Sequence, residues 1–285
     1  MKAPTFKYLR AESMDDVYAA FAEYGDEAVI LAGGQSLMPM LNMRLAQPAV
    51  LVDINPIYEL SGIVLSNQKL HVGAMTRHVE VANAELVAET LPLIGCAIKQ
   101  VAHRGIRNRG TFGGSLAHAD PAAEMPACAV ALDATLILQS HGGARRVKAT
   151  DFFLGVMSTD RRSDEILTSI ELPTQGSNHA WAFHELSRRH GDFALVGVAA
   201  TAQRRSEGLD GLRLVVFGCE ARPRISEVVA SRTLVPQDVA EVAAAVVNDL
   251  DPMSDLEGDA EIKLIQARAL VERSLNDLLA AQPYD

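Results

Sequence analysis

Ala32-Gly33-Gly34-Gln35-Ser36, set directly behind the apolar run Ala28-Val29-Ile30-Leu31, is the first of two glycine turns in this chain. The second, Gly110-Thr111-Phe112-Gly113-Gly114-Ser115, stands about 80 residues further on. Each pairs bare backbone with a small hydroxyl residue. Glycine lets a backbone adopt unusual angles and come close to a ligand. Consecutive free N–H groups in such a turn form a concavity that suits an anion. Either turn alone reads as an ordinary tight connection, because glycine serves any of them. Together they suggest two halves of one phosphate cradle.

Around the first turn the pattern is that of a small α/β unit. Ser13 to Tyr24 reads as a helix, with Val17, Ala20, Phe21 and Tyr24 on one face, Ser13 as its cap and Gly25 at its end. Ala28 to Leu31 and Ala49 to Ile54 read as short buried strands. Further on, Lys69 to Ala74, Ala134 to Gln139 and Glu165 to Leu172 read as strands, and Glu85 to Val101 as a helix interrupted near Pro92. Gln175-Gly176-Ser177-Asn178 is the best linker. Beyond it, Ala180 to Ser187, Phe193 to Gln203 and Leu212 to Cys219 suggest a three-stranded antiparallel sheet. Helices over Val239 to Leu250 and about Ala260 to Ala281 follow.

Bulk properties remove several classes of function. At 285 residues the chain has room for more than one domain, and its hydrophobic content of 48% is that of a globular protein. A net charge of −10 argues against a nucleic-acid surface, which needs clustered Lys and Arg. No apolar h-region opens the chain and no apolar run reaches the length of a membrane span, so a cytoplasmic protein is expected. Cys96, Cys128 and Cys219 are too few and too scattered for a disulfide framework, a metal site or an iron–sulfur cluster. No metal ligands are expected in this chain.

The common catalytic and nucleotide motifs are missing. There is no GxxxxGK[ST] and no GxGxxG. His184-Glu185-Leu186-Ser187-Arg188 lacks the second histidine of a zinc protease, and both Gly-Gly-Ser-type turns fail the final glycine of a nucleophile elbow. The carboxylates of Ala119-Asp120-Pro121-Ala122-Ala123-Glu124 could accept hydrogen bonds from sugar hydroxyls, or Asp120 could cap a helix starting at Pro121. The basic run from His103 to Arg109 could lend positive potential to a diphosphate, or form a solvated helix end or a subunit contact.

Taken together, Ala32-Gly33-Gly34-Gln35-Ser36-Leu37, the block Arg107 to Leu116, and Ala119-Asp120-Pro121 resemble the FAD-binding medium subunits of molybdenum hydroxylases. Carbon monoxide dehydrogenase is the type case, and the flavin domain of xanthine dehydrogenase is more distant. Glu165-Ile166-Leu167 and the block Ser187 to Ala194 match two further family blocks in order, so the similarity spans essentially the whole chain.

The resemblance implies an α+β fold: a two-lobed FAD-binding domain of the vanillyl-alcohol-oxidase type, then a small domain of an antiparallel three-stranded sheet with helices. The expected divisions are 1–57 and 58–174 for the two lobes and 178–285 for the C-terminal domain. Non-covalent FAD is implied, with diphosphate and ribose contacts on Ile30, Leu31, Ala32, Gly33, Gly34, Gln35, Ser36 and Leu37, and on Thr111, Gly113, Gly114 and Ser115. The family's carboxylate after the second turn falls on Glu124, with Asp120 a second candidate, and Leu167 falls where a relative packs an aliphatic side chain on the isoalloxazine.

Three positions depart from the pattern. A family lysine near the flavin falls on His184, or on Glu185 if the register slips by one. The aromatic over the ring, often Tyr, is Phe193, and Ser115 stands where many relatives have Asn. No catalytic side chain is implied. The implied role is an electron-transfer subunit beside a large molybdopterin subunit and a small 2Fe–2S subunit, in a dimer of heterotrimers. The alternatives are a self-contained FAD-dependent oxidase or reductase, in which the tail caps the flavin, and a flavin-free scaffold.

Overall fold

The computed structural model describes residues 2–206, 208–229, 233–256 and 258–280. Its first layer is a three-stranded parallel sheet. The elements are β1 (Lys7–Arg10), α1 (Met14–Tyr24), β2 (Ala28–Leu31), α2 (Leu37–Asn42) and β3 (Val50–Asp53), with β3 at the centre. Val50, Leu51 and Val52 are all buried, as a strand flanked on both sides should be. The helix α1 packs Val17, Ala20 and Phe21 against Ala28, Val50 and Val52.

Its start is fixed by a capping box. Ser13 Oγ accepts from the Asp16 N–H at 3.3 Å and the Ser13 N–H donates to Asp16 Oδ2 at 3.0 Å. Gly25, at φ +53°, then turns the chain out of the helix. Ser13→Ala removes one half of the box and should lower the unfolding free energy by about 1 kcal/mol. Urea titration with an unchanged slope checks this.

The second layer is a five-stranded antiparallel sheet. Its elements, in chain order, are β4 (Ile63–Ser66), β5 (Lys69–Gly73), α3 (His78–Asn83), α4 (Glu85–Thr90), α5 (Pro92–Ala97), α6 (Arg104–Arg107), α7 (Phe112–His118), α8 (Glu124–Ala131), β6 (Thr135–Ser140), β7 (Gly143–Lys148), α9 (Ala149–Phe152), the short pair β8 (Phe153–Gly155) and β9 (Ser158–Thr159), and β10 (Ile166–Pro173). The strand order is β4-β5-β10-β6-β7, so the last strand in sequence is the central one. A register shift between Leu167 and Ser169 interrupts its pairing with β6. The helices α5, α7 and α8 bury their apolar residues on this sheet in the largest core cluster.

The third layer is β11 (His179–Leu186), β12 (Val196–Arg205), β13 (Gly208–Phe217) and β14 (Arg224–Ile225), in that order, followed by α10 (Val239–Asn248) and α11 (Ala260–Ala280). The sheet is antiparallel as expected, but the two-residue β14 adds a fourth strand to the three read from the sequence. Residue 281, where the last helix was expected to end, lies outside the described residues, as do 282–285.

Strand alternation gives this sheet two buried faces. Ala180, Ala182, Val198 and Ala200 pack on α10 and α11, while Phe183, Ala199, Val215 and Phe217 join the core beneath α5 and α8. Two side chains fasten the sheet to α8. Arg213 Nε and Nη2 donate to the carbonyls of Ala131 and Val130 at 3.0 and 2.8 Å, and Thr201 Oγ1 donates to Ala131 O at 3.2 Å. Carbonyls at a helix C-terminus lack intrahelical partners, and a cation there opposes the helix dipole.

Several other sequence expectations are refined. The helical stretch from Glu85 divides into α4 and α5, with Leu91 between them ahead of Pro92. Asp120 caps no helix. Its carboxylate accepts from the Ala122 N–H at 2.9 Å, and α8 begins only at Glu124. Arg107 is spent on the carbonyls of Val101 and Ala102, at 2.7 Å each, a local role not among those read for this basic run. The three cysteines are unpaired, and burial pushes the Cys219 thiol up to about 12.

Candidate functional site: a dinucleotide cleft between two glycine turns

The two glycine turns meet. A Cβ on Gly33 would lie 2.3 Å from the Arg109 carbonyl oxygen and 2.8 Å from Gly110 Cα. A Cβ on Gly114 would lie 3.7 Å from that of Ala32, and 2.5 Å from Thr111 Oγ1. Only glycine allows backbones this close. Gly113 is equally confined on its other side, with Ala74 Cβ 2.4 Å from where its own Cβ would be. Thr111 caps α7, its hydroxyl accepting from the Gly114 N–H at 3.1 Å.

Where the turns touch, a cleft of about 800 Å³ opens, lined by Leu31, Ala32, Gly33, Gly34 and Gln35 on one side and by Asn108 and Arg109 on the other. Arg77, Asn55 and the carboxylate Asp53 also line it, with Tyr8 and Met38, Pro39 and Asn42 of α2 at its edge. Gln35 Nε2 donates to Gly33 O at 3.0 Å and holds the first turn in shape. Asn55 Nδ2 donates to Ala32 O at 2.9 Å, and Arg77 Nη2 donates to Asn55 Oδ1 at 2.5 Å. Arg77 Nη1 donates to the Arg109 carbonyl. Neither Arg77 nor Arg109 forms an ion pair with a carboxylate among the described residues. A confined glycine cradle beside two guanidinium groups fits the diphosphate of a dinucleotide.

Ile30 ends in β2 just behind the cleft, and Ser36 and Leu37 lead into α2. Ser115 lies in the first turns of α7. The remaining expected residues lie outside the cleft lining and are dispersed over α8 and the loop before it, β10, β11 and the loop after β11. Glu124 is the first residue of α8 and only 5% exposed. Burial, followed by the nearby charges of Glu185 and Asp120, pushes its carboxyl up to about 8. Burial likewise raises Glu185 to about 7, and its Oε2 has no hydrogen-bond partner.

Alternation along β11 turns His184 and Glu185 to opposite faces. His184 is turned to the outer face, where its Nε2 lies 2.7 Å from Asp277 Oδ2 of α11. Glu185 therefore shares the inner face with Phe183, toward α5 and α8, and its charge is felt at Glu124, Cys96 and Cys128. Leu167 is buried in the core at the irregularity of β10. Phe193 is 61% exposed, in the loop between β11 and β12.

Arg77 and Asn55 have no sequence motif to announce them, and Asn108 and Arg109 stood in the basic run and in the block Arg107 to Leu116 without being singled out as cofactor contacts. They reach the cleft through the pairing of distant segments: a bridge joins Arg77 to Thr111, and β3 carries the chain to Asn55. No group of three or more His, Cys, Asp or Glu residues among the described residues is placed to hold a metal ion. No helix among them is long and apolar enough to cross a membrane.

Comparison with known proteins agrees with this geometry. Residues 4–175 match the family of the FAD binding domain in molybdopterin dehydrogenase, and residues 181–278 match the CO dehydrogenase flavoprotein C-terminal domain. The chain is 37% identical to the 6-hydroxypseudooxynicotine dehydrogenase complex subunit alpha of Paenarthrobacter nicotinovorans, covering 96% of this chain and 95% of that one. It is 34% identical to the carbon monoxide dehydrogenase medium chain of Hydrogenophaga pseudoflava, covering 97% and 98%.

Among solved structures, carbon monoxide dehydrogenase from Hydrogenophaga pseudoflava superimposes with a TM-score of 0.95 at 33% identity, covering 98% of this chain and 99% of that one. Quinoline 2-oxidoreductase from Pseudomonas putida 86 gives 0.93 at 35% identity, with both chains covered completely. The chain belongs to the FAD-binding medium subunits of the molybdenum hydroxylases, and its cofactor is FAD.

Proposed function

We propose that this subunit is the electron outlet of its complex. In this reading the substrate is oxidised on a separate molybdopterin subunit, electrons pass through a 2Fe–2S subunit, and they leave from this chain to an external acceptor. The observation that carries the reading is the close backbone approach of Gly33 to Arg109 beside a cleft lined by Arg77 and Arg109. Bound FAD supplies the redox chemistry, while the protein supplies binding, orientation and electrostatics.

The residues divide accordingly. Ile30 to Leu37 and Thr111 to Ser115 receive the diphosphate and ribose. Asp120 and Glu124 face the hydroxyls of the ribityl chain, and Leu167 and Phe193 flank the ring. At the position near the ring where relatives carry a lysine we place Glu185, because His184 is held by Asp277 on the other face. A carboxyl there in place of an ammonium removes positive charge from the neighbourhood of the ring. No side chain here acts as nucleophile or as acid–base group toward the substrate. The complete assembly is a dimer of heterotrimers.

The purified full chain is expected to carry, or to take up, one FAD per chain and to turn over no substrate until the two partner subunits are added. Flavin absorbance after gel filtration and steady-state assays with and without partners check this. A folded chain that binds no FAD would sink the reading. Substrate oxidation by the chain alone would favour the self-contained oxidase.

A further inference from the structure

The guanidinium of Arg77 touches both halves of the cleft at once. Its Nη2 reaches Asn55 Oδ1, and Asn55 in turn holds Ala32 O at the head of the first turn. Its Nη1 reaches Arg109 O at the approach to the second turn. Its backbone is set as well: the N–H donates to Glu80 Oε2 at 2.7 Å, and the residue pairs with Thr111. A planar guanidinium can bridge two acceptors in a fixed geometry, and an ammonium cannot reproduce that fork. The nearby charges of Glu80 and Asp53 favour the Arg77 cation and that of Arg109 opposes it, with no carboxylate salt-bridged to Arg77 or Arg109 among the described residues. An anion bound between the two arginines lessens their mutual repulsion.

We propose that Arg77 is a positioning and binding residue, a latch that fixes the spacing of the two glycine turns and supplies the cation that receives the dinucleotide diphosphate. The inference rests on the FAD reading above and adds to it how the two turns are kept in register. It separates geometry from charge. Arg77→Lys keeps the charge and loses the fork, whereas Asn55→Ala keeps the charge and cuts the link to Ala32.

The test is FAD and ADP affinity of the full chain by calorimetry, for the wild type, Arg77→Met, Arg77→Lys, Asn55→Ala and the Arg77→Met/Asn55→Ala double variant. Circular dichroism confirms folding. Arg77→Met and Arg77→Lys should each weaken both ligands at least tenfold. Asn55→Ala should also weaken them, with the double variant no worse than Arg77→Met alone, because coupled residues are not additive. If Arg77→Met fails to fold, Arg77→Lys and Asn55→Ala carry the test. Wild-type affinity in Arg77→Lys or in Asn55→Ala, or strict additivity in the double variant, would overturn the latch. Failure of the wild type to bind FAD would instead strike at the functional reading itself.

Discussion

Gly33→Ala should cost the chain its FAD. The added methyl would lie 2.3 Å from the Arg109 carbonyl oxygen and 2.9 Å from its carbon, both backbone atoms with no rotamer through which to escape. Relief requires the two turns to separate, and overpacking of this kind costs about 1–3 kcal/mol before any ligand is lost. The expected result is a drop of roughly 100-fold in FAD affinity, the equivalent of about 2.7 kcal/mol, together with a lower melting temperature. Two other glycines calibrate it. Gly34, at φ +71°, faces only flexible side chains at 3.2 and 3.3 Å, so Gly34→Ala should carry mainly the left-handed penalty of about 1 kcal/mol. Gly95 in α5 has nothing within 4 Å, and Gly95→Ala should be neutral or slightly stabilising. Equal FAD retention in Gly33→Ala and Gly95→Ala would show that the turns need not touch.

Raising the pH should destabilise the chain through Glu124. Its carboxyl is raised from 4.5 to about 8, chiefly by burial, so between those values the folded state holds a proton that the unfolded state has lost. Where the folded state binds more protons, the unfolding free energy falls as pH rises. The group costs nothing below pH 4.5 and its full penalty above pH 8, a shift on the order of 5 kcal/mol. Glu124→Gln keeps the shape and never ionises. It should flatten the decline between pH 5 and 8 and melt roughly 8 °C above the wild type at the alkaline end. Thermal melts across that range decide the matter. Parallel curves for the two proteins would mean that Glu124 ionises as freely folded as unfolded. Asp120, Glu185, Cys96 and Cys128 share its surroundings, and Glu185→Gln should make the decline shallower and end it at a lower pH, because it removes a neighbouring negative charge that raises the Glu124 carboxyl.

What could be read from the chain was what is local. The Ser13 cap, the face of α1 and the apolar run into the first turn are all written within a dozen residues. By contrast, α8 is eight residues long and every one of them is buried, so it shows no amphipathic stripe to betray a helix. The strand β7, Gly-Ala-Arg-Arg-Val-Lys, is an edge whose outward residues are charged, and it does not read as a strand until β6 lies beside it. Arg77 and Asn55 escaped for a related reason. Their roles depend on two acceptors that only tertiary structure brings within reach. That His184 and Glu185 lie on opposite faces was legible, since Trp181 and Phe183 alternate with Ala180 and Ala182. What was lacking was knowledge of which face meets the flavin-binding half.

The grip of Arg213 and Thr201 on the last carbonyls of α8 has a consequence for how such a subunit can evolve. Two family descriptions divide the chain between residues 175 and 181, yet the material on either side is not independent. The helix that opens with Glu124 is finished by side chains from the far segment, and Phe183, Val215 and Phe217 complete the core that its near segment begins. The two halves therefore cannot be shuffled as separate cassettes. A lineage that exchanged one for a foreign version would have to rebuild an interior, not merely a linker, and inheritance of the pair as a block is the course that the packing favours.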